Sequence, residues 1–109
     1  MAAAIVDLDI NEGDTFTMTL EFWQNQDNTQ PIDVSADTFK GSFKIGDKSI
    51  PMSIAHLPDT VNAIEASVAY DQMHNLSARG VYDIDQLTPD GDNYRLIQGK
   101  VRVSPEVTV

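Results

Sequence analysis

Two histidines, no cysteine and a surplus of carboxylates are what this 109-residue chain offers to chemistry. A hydrolytic or acyl-transfer site needs a nucleophile, a base within hydrogen-bond reach and a third group to orient that base. His56 in "IAHLPD" and His74 in "DQMHNL" have no neighbour at a spacing that builds a triad or a metal site, so both read as turn or surface residues. The absence of cysteine removes thiolate nucleophiles, thiolate-held metals and disulfides. In "TPDGDN", Asp90, Asp92 and Asn93 are hard oxygen donors close together. They lack the further alternating ligands and terminal Glu of a calcium loop, and read as a hairpin turn. The six glycines are scattered and make no phosphate cradle, and abundant carboxylates without a cleft carry no specificity for hydrolysis. The expectation is a protein that is not an enzyme, with no cofactor and no metal.

Charge narrows the partners. Seven basic against 17 acidic residues give a net charge of −10, which argues against a direct grip on nucleic acid or on an anionic membrane. The first 39 residues hold no Lys or Arg but carry Asp7, Asp9, Glu12, Asp14, Glu21, Asp27, Asp33 and Asp37. Such a one-signed stretch either keeps a small domain soluble or docks on a basic partner. No run approaches the roughly 18 apolar residues of a membrane span, and "MAAAIVDLDI" lacks the basic start of a signal peptide.

The elements that must position these residues are strands. With 41% hydrophobic and 22% charged residues, the chain falls in the globular class, and its length allows one domain spanning 1–109 with one core. In "TFTMTLEFW", Phe16, Met18, Leu20 and Phe22 share one face and Thr15, Thr17, Thr19 and Glu21 the other. "IVDLDIN" alternates Val6, Leu8 and Ile10 with Asp7, Asp9 and Asn11, and the intervening "EGD" predicts an opening hairpin between the two. "QNQDNTQ" is a polar loop leading to an edge strand at "PIDVSAD". "TFKGSFKIGDKSI" predicts a second hairpin, with Phe39, Gly41, Phe43 and Ile45 inward and Lys40, Ser42 and Lys44 outward. "NAIEASVAY" is another strand, and "DQMHNLSARG" suits one short helical turn near residues 71–77. The last third is a hairpin turned at Asp90-Gly91, with Ile97, Gly99, Val101 and Val103 inward and Lys100 and Arg102 outward. About eight strands at this spacing predict an all-β fold, a two-sheet antiparallel sandwich of immunoglobulin-like or jelly-roll-like type, with Tyr82 at the margin of the core. Gly99 marks a place where another backbone or a large ring such as Tyr82 comes close.

The pieces "GDTFTMTLEF", "PIDVSAD", "KGSFKI" and "ARGVYDIDQLTPDGDNYRLIQGKVRVSPEVT" together resemble the small β-sandwich proteins of tailed bacteriophages, found with virion genes and as attachment domains of baseplate or tail-fibre proteins. Gly13 to Thr15 match a Gly-led first strand; Pro31, Asp33 and Ser35 match a turn; and Gly80, Tyr82 and Ile84 match a central strand. Leu96, Ile97, Gly99, Val101, Val103, Val107 and Thr108 match a closing hairpin and its tail. Ala36 stands where the pattern has glycine, and Asp83 lies one place early. The resemblance implies a virion structural protein, made in the host bacterial cytoplasm, that docks on other virion proteins or forms a homo-oligomer in a tail, baseplate or capsid assembly.

Capsid decoration is the near alternative. An acidic inhibitor or DNA mimic acting on a host nucleic-acid-binding enzyme is the alternative from another class, and a sugar-binding sandwich ranks last. The candidate interface residues are Trp23, which either anchors a partner or covers the sandwich end, together with Asp7, Asp9 and Asp14. To these are added the tail from residue 104, with Pro105, Glu106, Val107, Thr108 and Val109, where Pro105 ends pairing and the last residues are free to add to a partner's sheet edge.

Overall fold

The computed structural model describes residues 3–27, 29–76 and 78–105. Among the described residues there are nine strands: β1 (Ala4–Ile5), β2 (Leu8–Asn11), β3 (Phe16–Glu21), β4 (Thr38–Ile45), β5 (Lys48–Pro51), β6 (Ser53–His56), β7 (Ala63–Val68), β8 (Arg79–Leu87) and β9 (Asn93–Ser104). They form two packed sheets. The larger runs β1-β9-β8-β4-β5, with β2 continuing the β1 edge along β9, and the smaller runs β3-β7-β6. Of the two sandwich types expected, this connectivity is the immunoglobulin-like one.

The alternating residues meet where their period sends them. Phe16 from the smaller sheet and Phe43 from the larger meet edge to face at 5.0 Å, and Ile45, Ile84 and Val101 are fully buried in the same cluster. Tyr82, expected at the margin, lies inside this core at 3% exposure, its ring 5.9 Å from that of Phe43. The helical turn is shorter than expected, a single 3-10 turn at Tyr70–Gln72. The chain beyond it delivers Met73 into the core at 0% exposure.

Two expected elements are absent. β2 does not fold back on β3. It lies parallel to β9, with Leu8 opposite Val101 and Ile10 opposite Val103, while β3 crosses to the other sheet and pairs with β7. The "EGD" turn is occupied elsewhere: the Gly13 N–H donates to the Met73 carbonyl at 2.7 Å, and the Glu12 carboxylate accepts the Leu76 N–H at 2.9 Å. Gly13 takes a left-handed φ of 87°, which only a residue without a Cβ adopts at little cost. The segment therefore docks on the loop after the 3-10 turn instead of closing a hairpin. The edge strand expected at "PIDVSAD" reduces to one bridge between Trp23 and Pro31. Beyond it, the Asp33 carboxylate accepts both the N–H and the hydroxyl of Ser35, which curls the chain into a turn. These bonds favour the ionised form and hold the Asp33 carboxyl below its ordinary pKa.

The seam between the first and last strands depends on one glycine. A Cβ at Gly99 would overlap the Val6 carbonyl and press on the Tyr82 ring, so the close approach anticipated from the sequence involves both a backbone and a ring. The Tyr82 hydroxyl donates to that same Val6 carbonyl at 2.5 Å. Burial, and secondarily the Asp7 carboxylate, push the Tyr82 phenol above its ordinary value of 10.0.

We predict that Gly99→Ala costs about 1–3 kcal/mol and selectively exposes the amides of Ile5 to Asn11 to hydrogen exchange, leaving the β3–β7 pairing protected. Tyr82→Phe should cost about 1 kcal/mol. Because the folded state holds this phenol neutral above the unfolded value, its stabilisation is complete below pH 10.0 and is lost as pH rises through the folded pKa. Denaturant titrations on both sides of pH 10.0 should show that alkaline loss in the parent and a smaller one in Tyr82→Phe.

Candidate interaction surface

All seven Lys and Arg residues of the chain lie in strands of the larger sheet, and none lies in β3, β6 or β7. Alternation decides which way they point. With Tyr82, Ile84, Val101 and Val103 turned into the core, their neighbours on β8 and β9 must face solvent. Cross-strand register then assembles these outward positions into rows.

Lys44 on β4 pairs with Val81 on β8, and Val81 pairs with Lys100 on β9. The Lys100 N–H donates to the Asp7 carboxylate at 2.9 Å, which ties the edge segment to this row. One row along, Arg79 is opposite Arg102, and Arg102 is opposite Asp9 and ion-paired with it at 2.9 Å. Towards the other end, Lys40 pairs with Asp85 and Asp85 with Arg95. A bulge between Ile84 and Asp85 supplies this last alignment, turning Arg95 outward so that its guanidinium lies 3.5 Å from Asp83 and 3.6 Å from Asp85. At 3.6 Å the Asp85 oxygen gains Coulomb attraction but no hydrogen bond, and this buried atom has no hydrogen-bond partner among the described residues.

The two halves of the face therefore differ. Around Arg95 the cation is matched by two carboxylates. Around Val81, Lys44, Arg79 and Lys100 make no side-chain ion pair among the described residues, and only Arg102 is neutralised. Val81 itself is 53% exposed at the centre of these cations. They border an open depression of about 820 Å³.

Asp7 and Asp9, expected in a one-signed acidic surface, sit within this cationic half. Asp14 lies apart, in the turn before β3, accepting from the Asn11 amide at 3.2 Å. Trp23 is half-buried at the base of a loop that Asn25 knits together through bonds to Thr29 and Gln30. That end of the sandwich carries an aromatic group in which Phe39 lies between Phe22, at a tilt, and His56, edge-on. His56 also bonds the Asp37 carbonyl at 3.0 Å, and His74 belongs to the loop after the 3-10 turn, so the two histidines serve different elements. Among the described residues, no group of three or more His, Asp and Glu side chains could hold a metal ion. β9 stops at Ser104 and Pro105 is exposed outside it, while Glu106, Val107, Thr108 and Val109 lie outside the described residues.

Alternation alone puts Lys44, Lys100 and Arg102 in outward positions, but their convergence on Val81 depends on the strand order. The available signal was that every cation falls in a strand after residue 39; which strands are neighbours had to come from the fold. No protein-family model matches the chain, and no curated protein matches it.

Like charges directly opposite in a sheet are destabilising, so the Arg79–Arg102 pair costs stability that Asp9 only partly offsets. We predict that Arg79→Glu, which puts an opposite charge across from Arg102, stabilises the fold by about 0.2–1 kcal/mol and raises the melting midpoint by up to a few degrees. Calorimetry checks this. An unchanged or lowered midpoint would mean that the patch carries no electrostatic tension.

Proposed function

We propose that this protein is a non-enzymatic structural subunit of a tailed-bacteriophage particle, docking through protein–protein contacts in a tail, baseplate or capsid assembly. The observation that carries the reading is the set of unneutralised cations around an exposed apolar residue, on one face of a domain whose net charge is −10. Arg79 opposite Arg102 is an arrangement expected to cost stability, and charges kept in such an arrangement suit a face that serves a contact. Apolar area ringed by Arg and Lys suits a protein partner, because the apolar centre contributes affinity and the charges fix orientation.

The resemblance to phage sandwich proteins supplies the class of assembly. Its matching residues fall on elements that bear the fold: Tyr82 and Ile84 in the core strand β8, and Gly99, Val101 and Val103 along the seam of β9. Capsid decoration stays within this proposal as one location. The DNA-mimic alternative draws less support, because Asp7 and Asp9 stand among Lys100 and Arg102 and not in a phosphate-like array.

The test is quantitative mass spectrometry of particles purified from the host that encodes the chain. A fixed copy number per particle, unchanged through successive purification steps, is expected. Presence in the lysate with absence from the particles would overturn the reading. A chain ending at Pro105 keeps β9 whole, and circular dichroism should establish that it folds. Loss of particle incorporation by this shortened chain would assign docking to residues 106–109.

A further inference from the structure

The two outer faces of the sandwich differ in sign. On the smaller sheet, Glu21 and Glu65 project outward among Thr17, Thr19 and Ser67, and no strand of that sheet carries a cation. Thr19 is opposite Glu65 and Glu21 is opposite Ala63, so the two carboxylates are diagonal neighbours across β3 and β7. Neither makes an ion pair among the described residues. The cationic patch lies on the opposite side of the molecule, on the outer face of the larger sheet.

We propose that the Lys44, Arg79 and Lys100 patch around Val81 docks on the Glu21–Glu65 face of a second copy of this chain. The inference rests on the structural-subunit reading and names its partner. Patch and counter-patch occupy different surfaces, so the contact is heterologous: each copy that offers its cationic face leaves its acidic face free for another. The product is a head-to-tail stack that grows along the normal to the sheets. The 46 × 25 Å outline of the molecule can accommodate the roughly 800 Å² per partner of a stable interface.

Net repulsion between copies, each at −10, opposes stacking, and distance decides the balance. At about 0.1 M salt the screening length is about 10 Å. Charges in contact across the interface lie well inside that length. Most of the remaining carboxylates, spread over a body 46 Å long, lie beyond it. Local attraction therefore survives at this ionic strength, whereas about 1 M salt, with a screening length near 3 Å, weakens it.

The experiment is sedimentation velocity on the full chain over a wide concentration range, in about 0.1 M and about 1 M salt. Expected is an open-ended series of species in the lower salt that collapses towards monomer in the higher. Lys44→Glu/Arg79→Glu/Lys100→Glu and Glu21→Lys/Glu65→Lys should each weaken association by at least about tenfold. An equimolar mixture of the two should regain it, since the acidified face of one variant meets the basic back of the other. Circular dichroism confirms folding, and neutral Gln replacements at the same positions serve if a reversal variant does not fold. A parent chain that is monomeric throughout, or a mixture that fails to recover, overturns the proposal. So does binding of a short DNA duplex by the patch without self-association. If particle incorporation persists in any of those cases, the structural-subunit reading stands and only the identity of the partner is wrong.

Discussion

Val6 is the residue on which the first strands and the last one close. Its carbonyl accepts the hydroxyl of Tyr82 and occupies the space that a side chain at position 99 would fill. Its N–H donates to the Gln98 carbonyl at 3.0 Å, so both backbone groups of one residue are satisfied at the seam. Leu8 and Ile10 can then lie against the core from the β9 edge, and Asp7 and Asp9 are delivered to Lys100 and Arg102 on the outer face. A buried tyrosine with an unsatisfied hydroxyl would be costly, and a strand edge without its partner would be open to other chains. The same short segment resolves both, so the packing of the core and the charge layout of the outer face have a common origin.

The sequence was most informative where the physics is local. Period-two alternation gave the inward residues of β3, β4, β7, β8 and β9, since a strand facing a core on one side must alternate whatever its neighbours are. The turn through Asp90-Gly91, closed by the Gly91 N–H on the Thr88 carbonyl at 3.0 Å, and the tight position at Gly99 were legible for the same reason, each being a backbone requirement at one site. The partner of β2 was not legible. Two consecutive amphipathic strands joined by "EGD" look the same whether they pair with each other or separate into different sheets. The choice lay with Gly13 and Glu12, which bond to a loop some 60 residues away. The stretch after Pro31 misled because Asp33 can satisfy backbone donors from its side chain and remove the need for a ladder.

The candidate surface shows a second limit. Outward positions for Lys44, Lys100 and Arg102 follow from alternation alone, but a patch is a property of three strands in register. It needs β8 between β4 and β9, with Val81 level with both lysines. Conversely, the acidic run from Asp7 to Asp37 looked continuous only in one dimension. Folding divides it among a seam, a docked turn, a strand face and an Asx turn, each with its own use for a carboxylate.

The parallel seam also sets how the molecule would carry a load. Because β1 and β2 run alongside β9 in the same direction, β1 begins beside Ile97 and β9 ends beside Asn11, at opposite ends of the seam and roughly 20 Å apart along it. Tension applied between those points acts along the strands and shears their hydrogen bonds together, where an antiparallel pair pulled from one end would open a bond at a time.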